Sequence, residues 1–381
     1  MATVRFRYAL CAALLLMACG AITARAADPA PAYSRVTLFF LHNAWKEKMP
    51  TGDVKLGEGV LGLSVDQIVS PTFEFQLSGT YSGASLTNPD DSKADLSGIN
   101  DTRFKGTYFF AERRASAALI LNLPTGKKEL TDEQYLVALG IADNARKYLV
   151  RRFGQGLDVG GELFWLPHSD QVKLRLGGGY LYKGSYKVRQ SDADTYKFGD
   201  ELYAAGAISA GSEPVSGRLS ATYKLYTKDK YGDEAVYKAG PSIIVSGRLS
   251  YSKNFWASLG FTAISRGKAD IAATSGGLSE ETLKSGRNES LVDLSATVPM
   301  GERLRALGRL EFKNVSANDY DSTSTFFRPK ANYTGIGAGV GYQFTLSLWG
   351  SIVGTYYTGT VAENHDLTGL GVTAALIFRY W

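Results

Sequence analysis

Cysteine is nearly absent from this chain: Cys11 and Cys19 are its only two, and both fall within Met1–Ala26. Everything after Ala26 is therefore without disulfides or thiolate metal sites. Histidine is equally scarce, and His42, His168 and His365 form no catalytic pair and show no metal-ligand spacing. No catalytic, cofactor-binding or metal-binding residue is expected, and enzymatic activity is not. Long apolar runs are missing too, since a mean hydropathy of -0.12 does not suit a bundle of membrane-spanning helices. Nor is there a surplus of one charge. Lys and Arg number 42 against 37 Asp and Glu, with no basic tract to bind nucleic acid. A disordered chain is excluded by 22 Tyr and 18 Phe, too many to leave in water.

What is present is glycine, 42 residues of it, and aromatic residues spread through segments that alternate apolar and polar. From Arg303 to Lys313, Leu304, Ala306, Gly308, Leu310 and Phe312 share one face, while Arg303, Arg305, Leu307, Arg309, Glu311 and Lys313 share the other. A helix would scatter these charges around its axis; a strand sorts them. Val172–Tyr186 repeats the pattern, with Leu174, Leu176, Tyr180 and Tyr182 opposing Lys173, Arg175 and Lys183. Phe73, Phe75, Leu77 and Tyr81 likewise oppose Glu74, Gln76, Ser78 and Thr80. Gly177-Gly178-Gly179 lies inside such a strand and reads as a bend or close-packing site, not a phosphate loop.

A soluble sandwich also alternates, but it rarely runs to this length as one unit. The connections favour a membrane barrel. Short turns are expected near Ile68–Pro71, Glu112–Arg114, Pro167–Gln171, Gly211–Glu213, Ser252–Lys253, Pro299–Glu302 and Leu346–Leu348. Longer polar loops are expected near Leu86–Gly98, Thr125–Gly154, Arg189–Phe198, Lys268–Arg287 and Asn318–Pro329. Short periplasmic turns alternating with longer outer loops are the barrel rule. The predicted fold is an all-β, antiparallel transmembrane barrel over residues 27–381, with about sixteen strands and fourteen as the alternative. The first strand is the least regular, because Leu38-Phe39-Phe40-Leu41 does not alternate.

The N-terminus fits export to the outer membrane of a Gram-negative bacterium. Arg5 and Arg7, an apolar stretch from Ala9 to Met17 and the small-x-small site Ala24-Arg25-Ala26 read as a signal peptide over residues 1–26. Lipidation at Cys19 is the rival processing signal. At the other end, Val372, Ala374, Leu376, Phe378 and Tyr380 alternate into Trp381, the kind of aromatic terminus that barrel-assembly machinery reads.

Three stretches give the chain a family likeness. They are Asp101-Thr102-Arg103-Phe104-Lys105-Gly106-Thr107-Tyr108, then Leu123-Pro124-Thr125-Gly126, then Gly154-Gln155-Gly156-Leu157-Asp158-Val159-Gly160. Together they resemble outer-membrane barrels of the phenol-degradation meta-pathway family. That resemblance implies an outer-membrane channel, with a leaning toward hydrophobic or aromatic compounds, and transfers no binding residue.

If the apolar faces meet lipid, a basic wall points inward: Lys173, Arg175, Lys183, Arg218, Lys224, Arg248, Arg303, Arg305, Arg309 and Lys313. Asp158, Glu162, Glu289 and Asp293 face it. Such a wall biases a pore toward anions, unless it is only a salt-bridged, hydrated interior. The segment Thr125–Gly154 is too long for a turn. Thr131 followed by Gln134 has capping-box spacing, which predicts a short helix through Tyr135 and Leu139. As the third outer loop it either folds into the pore or caps it from outside. In the first case its acidic residues Glu129, Asp132 and Glu133 are expected to meet Arg309 and Lys313. The expected function is passive diffusion of small solutes across an outer-membrane lipid bilayer. A non-conducting scaffold or sheath for another chain is the alternative.

Overall fold

The computed structural model describes residues 34–150, 153–167, 172–273, 277–362 and 365–380. The expected signal segment with Cys19, His168 and Trp381 lie outside the described residues. Seventeen hydrogen-bonded segments form one antiparallel sheet, and it closes on itself where Ser34–Met49 pairs with His365–Tyr380, from Ser34↔Tyr380 to Lys48↔Asp366. Two of the segments, Lys93–Ile99 and Thr102–Phe110, both pair with Phe73–Thr87 and are one strand broken at Asn100-Asp101. The result is a closed barrel of sixteen strands, in which the ladder runs unbroken from each strand to the next around the ring.

Six of the seven short turns expected from the sequence join strands at the end that holds Ser34 and Tyr380; the seventh, Pro167–Gln171, lies outside the described residues apart from Pro167. At the opposite end one expectation needs correction. Leu86–Gly98 is not all loop: only residues 88–92 turn, because Ala94, Leu96 and Gly98 continue the inward face of a strand that pairs as far as Thr87↔Lys93. A further long connection, not among the expected loops, runs between Tyr226 and Ser242 and contains the short strands Asp229–Tyr231 and Glu234–Lys238. These short strands join Ser185–Tyr186, Tyr196–Lys197, Asp270–Ala272 and Leu278–Glu280 in a six-stranded crown above the barrel. It continues only one side of the wall.

The irregular first strand has a simple cause. Register puts Leu38 and Phe40 on the outer face, while Phe39 and Leu41 pack inward. Phe39 lies flat over Gly62 of the neighbouring strand Gly52–Ser70, where a Cβ would meet the ring at 2.1 Å. Glycine at that position is what admits an inward Phe.

The two faces of the wall are chemically opposite. Outside stand Leu163, Ile336 and Leu370, each more than 60% exposed. On the last strand Leu370, Val372, Ala374, Leu376 and Phe378 make an apolar ladder on the same face. With a ~3.3 Å rise and a tilt near 40°, that ladder is roughly 20 Å tall, close to the apolar band of outer-membrane barrels. Below it, beside the short turns, sit the ring pairs Tyr108–Phe110, Tyr251–Phe255, Tyr342–Phe344 and Phe378–Tyr380. A girdle of rings where hydrocarbon gives way to headgroups is the expected boundary of such a band.

Candidate pore and its inward loop

The long connection between Ala115–Leu123 and Asp158–Trp165 folds into the barrel. Its two feet meet at the break in the fourth strand, where the Asp101 carboxylate accepts from Gly126 N at 2.9 Å and from Gln155 N at 2.7 Å. The Thr125 hydroxyl accepts from Thr102 N at 2.9 Å. At Gly126 a Cβ would lie 2.0 Å from the Phe153 carbonyl, so the two arms pass backbone against backbone. Thus the residues behind the family resemblance converge in space as the base of this loop.

From that base the chain forms the helix Asp132–Ala142, started as expected by a capping box: the Thr131 hydroxyl accepts from Gln134 N, and the Gln134 side chain accepts from Thr131 N. Val137 and Ile141 are fully buried with the inward residues Leu56, Val60, Ala84 and Leu96. The chain then runs along the adjoining strands of the same side. Ala145, Tyr148 and Val150 join Trp45, Val315, Tyr333, Tyr357 and Leu367 in one apolar cluster. Trp45 is 2% exposed and sits 4.8 Å from the Tyr357 ring and 5.4 Å from the Tyr333 ring. This is the main core of the molecule, and it lies inside the barrel.

Polar groups fix this course. Glu58 is 1% exposed and accepts from Leu149 N and Val150 N at 2.9 and 2.8 Å. Lys147 reaches Glu311 at 2.6 Å, Arg146 pairs with Glu47, and the Asn43 amide donates to the Lys147 carbonyl at 3.0 Å. Glu311 is wholly buried and also takes Arg309 at 2.5 Å and the Tyr333 hydroxyl at 2.8 Å. Burial holds the Lys147 ammonium below its ordinary pKa, an effect that the Glu311 carboxylate opposes. The ion pair therefore offsets a desolvation cost more than it adds stability.

The acidic residues Glu129, Asp132 and Glu133 do not meet the basic wall. They are exposed around the helix start, and Asp132 faces the crown, 3.7 Å from Arg189 and 3.0 Å from the Ser191 hydroxyl. The polarity of the contact is reversed: basic Arg146 and Lys147 of the loop meet acidic Glu47 and Glu311 of the wall. Arg309 is held by Glu311, while Lys313 lies 3.5 Å from Glu289 and donates to the Asn144 carbonyl. A helix start favours acidic residues for its own dipole, which explains their position without any role at a constriction.

Strand register places the other basic residues on the inner face. Lys224 pairs with Glu201 at 2.9 Å and Arg248 with Asp293 at 3.5 Å. Lys183 pairs with Asp158 at 3.3 Å, and Glu162 is shared by Lys105 and Tyr203. Arg175 stacks 3.7 Å over Phe164, and Arg305 lies 5.6 Å over Trp349. Arg303 sits in the short turn before Leu304. Lys173 and Arg218 have no ion-pair partner among the described residues. His365 opens the last strand and stands 3.0 Å from Glu47, and His42 faces outward. Sequence reasoning missed Glu47, Glu58 and Trp45 because the first two strands were the least regular, although Leu56-Gly57-Glu58-Gly59-Val60 alternates cleanly with glycine.

No family model matches this chain, and no curated protein matches it. Solved structures similar to it include OmpT, an outer membrane protein of Vibrio cholerae, at 10% identity over 91% of this chain and 98% of that one, TM-score 0.38. A mutant porin of Rhodopseudomonas blastica is 12% identical over 91% of this chain and 100% of its own, TM-score 0.38. An anion-selective porin from Comamonas acidovorans has 12% identity, the same coverage and a TM-score of 0.39. The closed sixteen-stranded barrel itself is established by this chain's own register.

Proposed function

We propose that this chain is a passive channel in the outer membrane of a Gram-negative bacterium, carrying small solutes without catalysis. The observation that supports this most is the Arg248 side chain: it lies on the inner face, 3.5 Å from Asp293, yet is 53% exposed. A charge inside a barrel stays that accessible only where water fills the lumen. The outer apolar band and its aromatic girdle support insertion in lipid. The inward loop packs on one side of the lumen, and the core beneath it includes no residue of the strands Val172–Tyr182 to Trp256–Arg266, the side to which we assign the passage. The leaning toward hydrophobic or aromatic solutes comes from the family resemblance. Single-channel recording of the purified protein in a planar bilayer tests the reading. Stable conductance is expected, rising at least about twofold when residues 128–150 are deleted, because that segment narrows the pore. No conductance in either protein leaves the scaffold reading.

A further inference from the structure

The helix Asp132–Ala142 is apolar on every side beyond its first turn, as a fully buried helix would be. It is buried on one side only. Val137 and Ile141 face the wall, but Leu139 is 51% exposed on the other side, inside the outer mouth and out of reach of lipid. Opposite Leu139 stands the crown hairpin, and between them lies a cleft of about 330 Å³. Tyr135, Ala138 and Leu139 form one side. Tyr186, Val188 and Phe198 form the other, with Tyr186 and Phe198 stacked at 5.9 Å. Lys127 and Lys128 are the charged residues of the lining, and neither has an ion-pair partner among the described residues.

The two sides are pinned together. Leu130 N donates to the Val188 carbonyl at 3.0 Å, and Gln190 N donates to the Leu130 carbonyl at 2.8 Å. The cleft therefore exists before any ligand arrives, which lowers the ordering cost of filling it. Its size is at the small end for small-molecule sites, and its lining has their usual form, an apolar body with few polar groups.

We propose that this cleft binds a small aromatic monocarboxylate, ring against Leu139 and the stacked rings, carboxylate toward Lys127 and Lys128. The apolar sides reward a flat ring, and two unpaired ammonium groups reward one negative charge over none. The inference rests on the channel reading only for the ligand's onward passage.

Equilibrium dialysis of the full chain in lipid nanodiscs, with empty nanodiscs as the blank, tests it with 2-naphthoate and the neutral 2-naphthylmethanol. Saturable uptake of 2-naphthoate, one per chain, is expected. Lys127→Gln with Lys128→Gln should weaken 2-naphthoate at least about fivefold and leave 2-naphthylmethanol within about twofold. Leu139→Gln, at an exposed position that folding tolerates, should weaken both. No saturable uptake by the wild type overturns the site, and so does an unchanged 2-naphthoate affinity in either variant. Binding without conductance overturns the channel and keeps the site; conductance without binding does the reverse.

Discussion

The inner wall of this barrel has two unlike sides. Over the strands from Leu304–Val315 round to Phe73–Thr87, large apolar side chains cluster inward around the buried acids Glu58 and Glu311, and the loop covers them: Trp45, Val60, Tyr333 and Tyr357 are all nearly inaccessible. Over Glu201–Ser212, Val215–Tyr226 and Ser242–Ser252 most inward positions are small or polar, among them Ala205, Ala207, Ser209, Arg218, Ser220, Thr222, Ser246 and Arg248, and none of them joins the core beneath the loop. Both sides alternate with the same period of two. The choice of inward residue, not the alternation, decides whether a stretch of wall becomes core or water-facing lining.

The largest expected contrast is in stability. Trp45→Ala removes an indole from the covered side and should cost about 3–5 kcal/mol, whereas Arg248→Ala on the open side should change stability by roughly 0.5 kcal/mol or less. Thermal unfolding of the two variants in one detergent measures both. Equal losses would mean that the loop is not the cover of a core.

A finer contrast lies within the covered side. Glu311→Ala strips the carboxylate from Lys147, Arg309 and Tyr333 and should cost about 3 kcal/mol, with faster proteolysis of the loop in the intact barrel. Lys147→Met should cost less than about 1 kcal/mol, because Glu311 keeps Arg309 and Tyr333 while a buried ammonium disappears. Loop cleavage rates across the two variants separate an acid that anchors from a cation that is merely accommodated.

The smallest effect concerns selectivity. Lys173→Ser with Arg218→Ser should remove most of an anion preference of about a few-fold, whereas Arg309→Ser with Lys313→Ser should shift it less, since both are already neutralised. Reversal potentials across a KCl gradient compare the pairs. The preference should fall as salt rises, because the Debye length is only about 10 Å at 0.1 M.

The strand faces, six of the short turns and the capped helix were legible in the sequence because each depends on neighbours a few residues apart. Thr131 and Gln134 contain their own helix start, and Arg303–Lys313 contains its own sorting. The docking of the loop was not legible. Lys147 and Glu311 are separated by 164 residues, and Arg146 and Glu47 by 99. No local pattern says that a basic pair in a loop will meet acids on strands at opposite ends of the chain. The choice of Glu129, Asp132 and Glu133 as the loop's working charges weighed residue type without knowing which way the helix would lie.

Because one aspartate clasps Gly126 and Gln155, the inward segment leaves and rejoins the wall at a single point. Its interior is thus a closed ring, and the strands on either side do not register how long that ring is. Closing a ring twice as long costs only about 0.6 kcal/mol more. A descendant of this barrel can therefore exchange one plug for another, longer or shorter, while its sixteen staves stay in place.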